Sequence, residues 1–555
     1  MNLLLEKISR IFRSVPGGIS AAAAGLFAAA LAAYSLTVVF PPAVDLRYSF
    51  YLDSASFYWL QALWDRGLFG GDPLAALYYS NMFRFCPESF WVWPTALFVK
   101  AAGYAAGLKL LAVAACAASA LLLRRLALAS PARPAAGAAT LLFAVLFLST
   151  DTFFGVPRVY GCLVFLAYAW AAEERRFTLL PLLAALCFAV YPVLAAGLAA
   201  TSLLVPFFFR EEFSDRRLVR SYLAALAAGA AVILIFLGLS RVVLHATPDP
   251  ENLRAFEMDK FYQRVSGALD PRNPVDALSN FIFNFNEHSR LYRILSVLFA
   301  LIYGLGVLVQ PRRPGMLPRV LLPLLAGCAA AFVVLYPMHP VTASRQLVFI
   351  LPLALVFLAA EGIMTIFGEK FRTAPAALAL GGLFLCLHPF FNEVYSMRAY
   401  AQVYDFFSAQ PRGSVVAGYP ESDLLFTIPV FAAQPAVLSA GTADQELLFL
   451  TSLKNYAARR RELFSALYCT DPGAPGRLAS GSGVKWLLFE KNYYSPAFLA
   501  GAAASPRPAD RETAALLAAG GDPAACYAAY SSKAAFSWKN GGSEGFAVRL
   551  AEAAK

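Results

Sequence analysis

The chain has 555 residues, of which 59% are hydrophobic and only 15% charged, with a formal net charge of +11 and a mean hydropathy of +0.59. Soluble globular chains carry about 25% charged residues, so this composition excludes an ordinary soluble enzyme, a disordered chain and a small disulfide-framed secreted domain. Its long apolar runs predict a polytopic α-helical membrane protein. The basic residues fall in small groups between those runs, where orientation in a bilayer accounts for them, and no nucleic-acid partner is expected.

In chain order, Lys7, Arg10 and Arg13 precede an apolar segment over residues 19–40. It is longer than a signal-peptide core and long enough to cross ~30 Å of hydrocarbon, so it reads as a retained signal anchor. Further spans are predicted at 104–123, 135–150, 157–172, 177–191, 193–209, 219–243, 293–309, 319–336, 346–366 and 374–390, about eleven transmembrane helices in all. Basic groups then alternate between the two sides. Lys7/Arg10/Arg13, Arg124/Arg125/Arg133, Arg175/Arg176, Arg210/Arg216/Arg217/Arg220, Arg312/Arg313/Arg319 and Lys370/Arg372 share one side, which the positive-inside rule assigns to the cytoplasm.

The opposite side receives loop 41–93, a short loop around Asp151 and Arg158, the Tyr191-Pro192 turn, loop 244–290, a loop around His339, and the C-terminal tail. The Tyr191-Pro192 turn decides this topology. One Pro-kinked helix in place of two spans would turn the basic groups at 312–319 and 370–372 outward, and the charge alternation favours two spans.

Beyond residue 391 charged residues, Gly and Pro return and no run is long enough to span. Residues 392–555 read as a soluble extracytoplasmic α/β domain, with strands expected at 414–419, 436–439, 484–489 and 534–538 and helices at 446–467 and 511–519. The eight cysteines show no metal-ligand spacing, and Cys116, Cys162, Cys187, Cys328 and Cys386 lie in predicted spans as small apolar fillers. Cys469 and Cys526 share the outer domain; they form a disulfide if that compartment is oxidising and are two inert thiols otherwise.

Candidate chemistry concentrates in the first outer loop, where Asp45 and Asp53 stand close to the exit of the first span. A carboxylate at the lipid–water boundary can act as a general base on an acceptor hydroxyl or amine, or hold a divalent cation, Mg or Mn, that bridges a phosphate. Asp53 can equally cap a helix over 54–65, with Asp72 capping the next. The aromatic residues Tyr48, Tyr51, Tyr58, Trp59, Trp64, Trp91 and Trp93 are either stacking platforms for sugar rings or an interfacial belt.

Directly after the first span this loop reads aromatic, Asp53, small residue, aromatic-rich helix, Gly, Leu-Phe and Asp72-Pro73. In that pattern, and in topology over roughly residues 1–390, the chain resembles the GT-C membrane glycosyltransferases. These include oligosaccharyltransferase catalytic subunits, protein O-mannosyltransferases and the bacterial enzymes that add sugars to lipid A. The resemblance implies a GT-C-like transmembrane domain over 1–391 with outer loops 41–93 and 244–290, a cytoplasmic N-terminus and a periplasmic C-terminal domain over 392–555. It also implies a place in the inner membrane of the bacterial cell envelope and a polyprenyl-phosphate sugar donor.

An Asp of this loop is the proposed catalytic base in that superfamily, which points to Asp53, with Asp45 beside it. There the Asp is often followed by Glu, whereas this chain has Asp53-Ser54. In metal-dependent relatives the second outer loop supplies a further acidic ligand, a role that would fall to Asp151; a lone Asp before a turn also serves as a cap. Arg158 just inside a span must pair or face water. A donor phosphate would satisfy it bidentately, as would Asp151 or snorkelling to the interface. His339 and Arg345 are placed to clamp a prenyl phosphate, since a basic residue near this point does so in the family. Loop 244–290, with Phe281, Phe283 and Phe285, either folds over a lipid-linked substrate or lies as a passive interfacial helix.

Two function classes follow. The first is an inverting membrane glycosyltransferase acting on an unidentified lipid, glycan or protein acceptor; the second is a non-catalytic scaffold, flippase or transporter of surface-polymer assembly. Coupled transport usually places ionisable groups near the midplane, while Lys109, Arg158 and Glu361 lie near span ends, which favours interfacial chemistry.

Overall fold

The structure is a computed structural model that describes residues 48–51, 91–129, 158–244, 320–336, 343, 346, 350, 354, 394–439, 453–503, 513–516, 518, 522–540 and 543–550. The spans expected at 19–40, 135–150, 293–309 and 374–390, loop 244–290, and Asp45, Asp53, Asp151, His339 and Arg345 lie outside the described residues.

A short strand β1 (Ser49–Tyr51) is followed by helices α1 (Val92–Ala102), α2 (Tyr104–Ala129), α3 (Arg158–Glu173), α4 (Leu179–Val190), α5 (Pro192–Phe208), α6 (Arg216–Leu244) and α7 (Leu322–Leu335). Helices α2 to α7 fall on predicted spans; α1 does not. It tolerates Pro94 because a first-turn amide has no intrahelical acceptor to lose. Gly103, at φ 80°, then breaks the chain ahead of α2. Just inside α2, Gly107 packs against the backbone of Phe98 and Val99, leaving no room for a side chain. Among the described residues, Arg216–Gly238 is the one helical stretch long and apolar enough to cross a membrane, and α4, α5 and α7 are shorter apolar helices.

The segment 177–209 forms two helices. A residue before proline is disfavoured in the helical region, and Tyr191 accordingly takes φ −155°, ψ 77°, ending α4, while Pro192 opens α5. Helices α4 and α5 pack against one another as a hairpin. At one end of the bundle the α3–α4 and α5–α6 turns meet. Arg175 Nη1 lies 2.9 Å from Glu212 Oε1, and the Phe177 ring sits 4.9 and 5.2 Å from those of Phe209 and Phe213. The basic groups at 175–176 and 210–217 therefore share an end, and Arg158 and Tyr191 share the other.

Small residues let α5 and α7 approach closely: Gly327 faces the Thr201 backbone, and Gly197 faces Cys328. Buried hydroxyls are satisfied locally, Thr201 and Ser202 donating to the Gly197 and Leu198 carbonyls at 2.8 and 2.9 Å.

The C-terminal part comprises β2 (Val394–Ser396), α8 (Ala401–Ser408), β3 (Val415–Ala417), α9 (Asp423–Ala432), α10 (Leu453–Leu467), α11 (Ala474–Ser482), β4 (Val484–Glu490), α12 (Pro496–Ala502), α13 (Pro523–Ser531), β5 (Phe536–Asn540) and β6 (Ser543–Arg549). Its four-stranded sheet has the order β3-β4-β6-β5, with β3 and β4 parallel and the other pairs antiparallel.

Alternate residues of β4 serve two cores. Leu487 and Phe489 pack with Leu463, Leu467, Leu478 and Tyr530 on one face, while Trp486 and Leu488 pack with Val403, Phe407, Leu424 and Ile428 on the other. Burial on both faces explains its nearly continuous apolar sequence. The strand expected at 436–439 is reduced to one parallel bridge, Ala436 to Val416. Strand β6 was not expected because Gly545 interrupts its pattern; the Trp538 ring covers that position from the neighbouring strand, so only glycine fits.

A second, two-stranded sheet pairs β1 antiparallel to β2, matching Ser49 with Ser396 and Tyr51 with Val394. It joins residues 49–51 to the C-terminal part.

Cys469 and Cys526 form a disulfide that links chain positions 57 residues apart. A closed loop of that length stabilises by roughly 4 kcal/mol through the unfolded chain. Cys526→Ser should lower the melting temperature of the detergent-solubilised protein, and dithiothreitol should lower the parent to the same value while leaving the variant unchanged. Equal melting of parent and variant without reductant would show that the bridge carries no stability.

Candidate functional site

At the end of the bundle opposite Arg175, three chain segments converge on the Tyr191-Pro192 turn. Arg158, half-buried, opens α3, and one turn further on Gly161 lies directly under the Tyr191 ring, where any side chain would collide. Between them, the Tyr160 hydroxyl lies 2.8 Å from Thr95 Oγ1, whose hydroxyl donates to the Trp91 carbonyl at 2.7 Å. Helix α1, where loop 41–93 ends, is thereby pinned to α3 beside Arg158.

The third segment arrives through Gln346, which is 0% exposed. Its Oε1 accepts from the Gly197 amide at 3.0 Å, and its Nε2 donates to the Val193 carbonyl. The side-chain amide thus bridges the donor and acceptor that face each other across the first turn of α5. Arg345 is the residue immediately before this anchor in the chain. The structure therefore places Arg158 and the immediate neighbour of Arg345 at one turn. Asp45, Asp53, Asp151 and His339 lie outside the described residues.

Near the start of loop 41–93, β1 forms a clasp with β2. Tyr48, 9% exposed, enters the core of the C-terminal part. Its ring stacks on Tyr404 at 6.3 Å and lies 6.1 Å from Phe431, and its carbonyl accepts from the Met397 amide at 2.8 Å. Helix α9, part of the same core, lies against α2.

A further cluster escaped sequence reasoning. Ser422 caps α9, its Oγ accepting from the Leu425 amide at 3.0 Å and donating to the carboxylate of Glu490. Glu490 ends β4 and is 6% exposed. Tyr419 stacks on Tyr493 at 3.9 Å, and the Tyr493 hydroxyl donates to the Glu421 carbonyl at 3.3 Å. The loops after the parallel strands β3 and β4 thus close over the carboxyl group. Burial pushes the Glu490 carboxyl up from 4.5 to about 7, with Asp423 adding repulsion and Ser422 opposing it. Tyr400 is pushed up to about 12, by burial first and by Glu490 second. The turn 419–423 is exposed at Asp423 but buried at Tyr419 and Ser422. The available signal was a Ser-Asp pair ahead of an apolar helical run.

No three His, Cys, Asp or Glu side chains converge on a possible metal position among the described residues. The acids read from the sequence as possible ligands, Asp53 and Asp151, lie outside them.

No family model matches the chain, and no curated protein matches it. Among solved structures, the chain is similar to the crystal structure of the Archaeoglobus fulgidus oligosaccharyltransferase complex with Zn and sulfate. The sequence identity is 12% and the TM-score 0.47, over 82% of this chain and 66% of that one. The present chain thus spans just under two thirds of the length of the matched structure.

Two outcomes are expected. Gln346→Met, which keeps volume but loses the amide bridge, should cost about 1–3 kcal/mol. Gln346→Glu should cost more, because it sets a carboxylate oxygen against the Val193 carbonyl. Thermal unfolding in detergent measures both, and parent-like melting of both variants would remove the bridge from the account.

The second outcome concerns Glu490. Between pH 4.5 and about 7 the unfolded chain has released a proton that folded Glu490 retains, so this group makes stability fall as pH rises through that window and level off above it. Glu490→Gln should abolish that decline and be the more stable protein at pH 8, by on the order of 3 kcal/mol. Parallel melting curves for parent and variant from pH 5 to pH 8 would contradict it.

Proposed function

We propose that this chain is an integral-membrane glycosyltransferase. It takes a sugar from a polyprenyl-phosphate-linked donor and transfers it, on the outer face of the cytoplasmic membrane, to a lipid, glycan or protein acceptor. The observation that carries this reading is the convergence at the Tyr191-Pro192 turn. Arg158, the helix that ends the acidic loop, and the residue after Arg345 are anchored within a turn or so of one another. A guanidinium at one mouth of a helical bundle, with Arg345 next in sequence to the Gln346 anchor, suits a phosphate leaving group, and the loop that carries Asp45 and Asp53 in sequence ends in α1 at the same end.

The chemistry is a direct displacement that inverts the anomeric carbon. Asp53 takes the proton as the acceptor oxygen or nitrogen attacks that carbon. The bond from the anomeric carbon to the phosphate oxygen breaks, and its electron pair stays on the prenyl phosphate. Arg158 and Arg345, assisted by His339, bind the charge that develops there. A divalent cation, Mg or Mn, would be held by Asp53 and Asp151 and would supply further positive charge to the phosphate.

The eleven-span topology with an extracytoplasmic C-terminal domain belongs to the same proposal. It is supported by the shared end of the basic turns and by the Cys469–Cys526 disulfide, since such bonds persist in oxidising compartments.

Radiolabelled prenyl-phosphate sugars presented to proteoliposomes test this directly. The parent should transfer label, and Asp53→Asn at matched folding should lose at least 100-fold in rate. Equal transfer by both would remove Asp53 from its role. No transfer from any donor by a folded parent would overturn the enzyme in favour of a scaffold, flippase or transporter.

A further inference from the structure

We infer that the C-terminal α/β part holds the acidic outer loop in its working position, and that Tyr48 is the positioning residue through which it does so. The inference rests on the glycosyltransferase reading for its catalytic consequence, but the clasp itself stands on geometry. A two-stranded ribbon of three residues per strand has little stability of its own, so β1 stays paired with β2 because something else fixes it. That anchor is the Tyr48 ring, buried against Tyr404 and Phe431. Tyr404 is fixed in turn, its hydroxyl lying 2.8 Å from that of Thr427 on α9. Helix α9 bears on α2 of the bundle, so the clasp is referenced to the helices as well as to the sheet.

Chain reach supplies the link to the acids. Asp53 follows Tyr51 by two residues, a separation that spans at most about 7 Å of extended chain. Asp45 precedes Tyr48 by three residues, at most about 11 Å. Both acids therefore lie within two or three chain positions of a clasp built by the C-terminal part. The other end of the loop is held independently by Thr95 on Tyr160, beside Arg158. A loop fixed at both ends, by two separate units, sets the distance from base to phosphate site. Misplacement of reacting groups by about 1 Å can cost 100-fold in rate.

The test combines a truncation with a covalent replacement of the clasp. Tyr48→Ala should lower kcat for sugar transfer by 10- to 100-fold while the donor KM stays within about threefold, and Tyr48→Phe, which keeps the ring, should stay within about threefold of the parent. Ser49→Cys with Ser396→Cys joins register partners whose Cα separation in an antiparallel pair, about 4.5–5.5 Å, suits a disulfide. Peptide mass spectrometry should find that cross-link in the otherwise unaltered protein, and adding the pair to Tyr48→Ala should restore most of the lost kcat.

Absence of the cross-link would overturn the clasp whatever the activity. A cross-linked, well-folded Tyr48→Ala protein with kcat still depressed would overturn the positioning role, as would unchanged kcat in Tyr48→Ala. A parent that transfers no sugar, where its Ser49→Cys/Ser396→Cys variant forms the cross-link, would instead defeat the glycosyltransferase reading, leaving the clasp as a purely architectural contact.

Discussion

Pro192 imposes the constraint on which the bundle depends. By disfavouring helical geometry at Tyr191 it converts one apolar stretch of more than thirty residues into a hairpin, and three consequences follow. The direction in which the chain enters α6 is set by that reversal. The N-terminal turn of α5 is left at the bundle's end, where its backbone groups meet Gln346. The Tyr191 ring is free to leave the helix line and lie on Gly161, which ties the start of α3, and so Arg158, to the same point. A continuous kinked helix would have scattered these groups over opposite ends.

Among the described residues of the bundle, several buried hydroxyls and an amide find partners in their own or a packed segment. Thr201 and Ser202 return to carbonyls one turn back, Tyr168 reaches Ser202 at 2.9 Å, and Gln346 bridges Val193 and Gly197. In surroundings without water an unmade hydrogen bond costs several kcal/mol. These side chains are therefore fixed in direction, and the segments they belong to are fixed with them. The close approach of α5 and α7 adds a steric lock, since Gly197 and Gly327 each admit nothing larger.

Much of the helical architecture could be read from the chain because hydropathy and basic-residue alternation are long-range, redundant signals; the helices at 158–173, 179–190 and 192–208 fall where the apolar runs predicted. Local signals failed where tertiary context supplied the reason. Gly545 reads as a strand breaker until the Trp538 ring is seen to occupy the space a side chain would need. Gln346 reads as an ordinary polar residue at a span end, and its role depends on two backbone atoms of a helix about 150 residues earlier. Glu490 reads as the solvated end of an apolar strand, yet the capping serine of another helix closes over it. In each case the deciding partner is distant in sequence. Of the candidate site, the sequence identified Arg158 correctly as a residue near a helix end, but not the turn that organises its surroundings.

The C-terminal part is best understood as a structural complement to the segment at β1 rather than an appendage. Its second core is incomplete without Tyr48, a residue contributed from more than three hundred positions upstream. Closing so long a loop carries an entropic cost that grows only slowly with its length, so a single buried aromatic anchor backed by a short ladder can hold it. The cost is lower still because α9 lies on α2, a second contact between the two units that shortens the effective loop the strand pair closes. The same economy explains why the ribbon needs only three residues per strand: the sheet does not generate the association but fixes its register, Ser49 against Ser396 and Tyr51 against Val394.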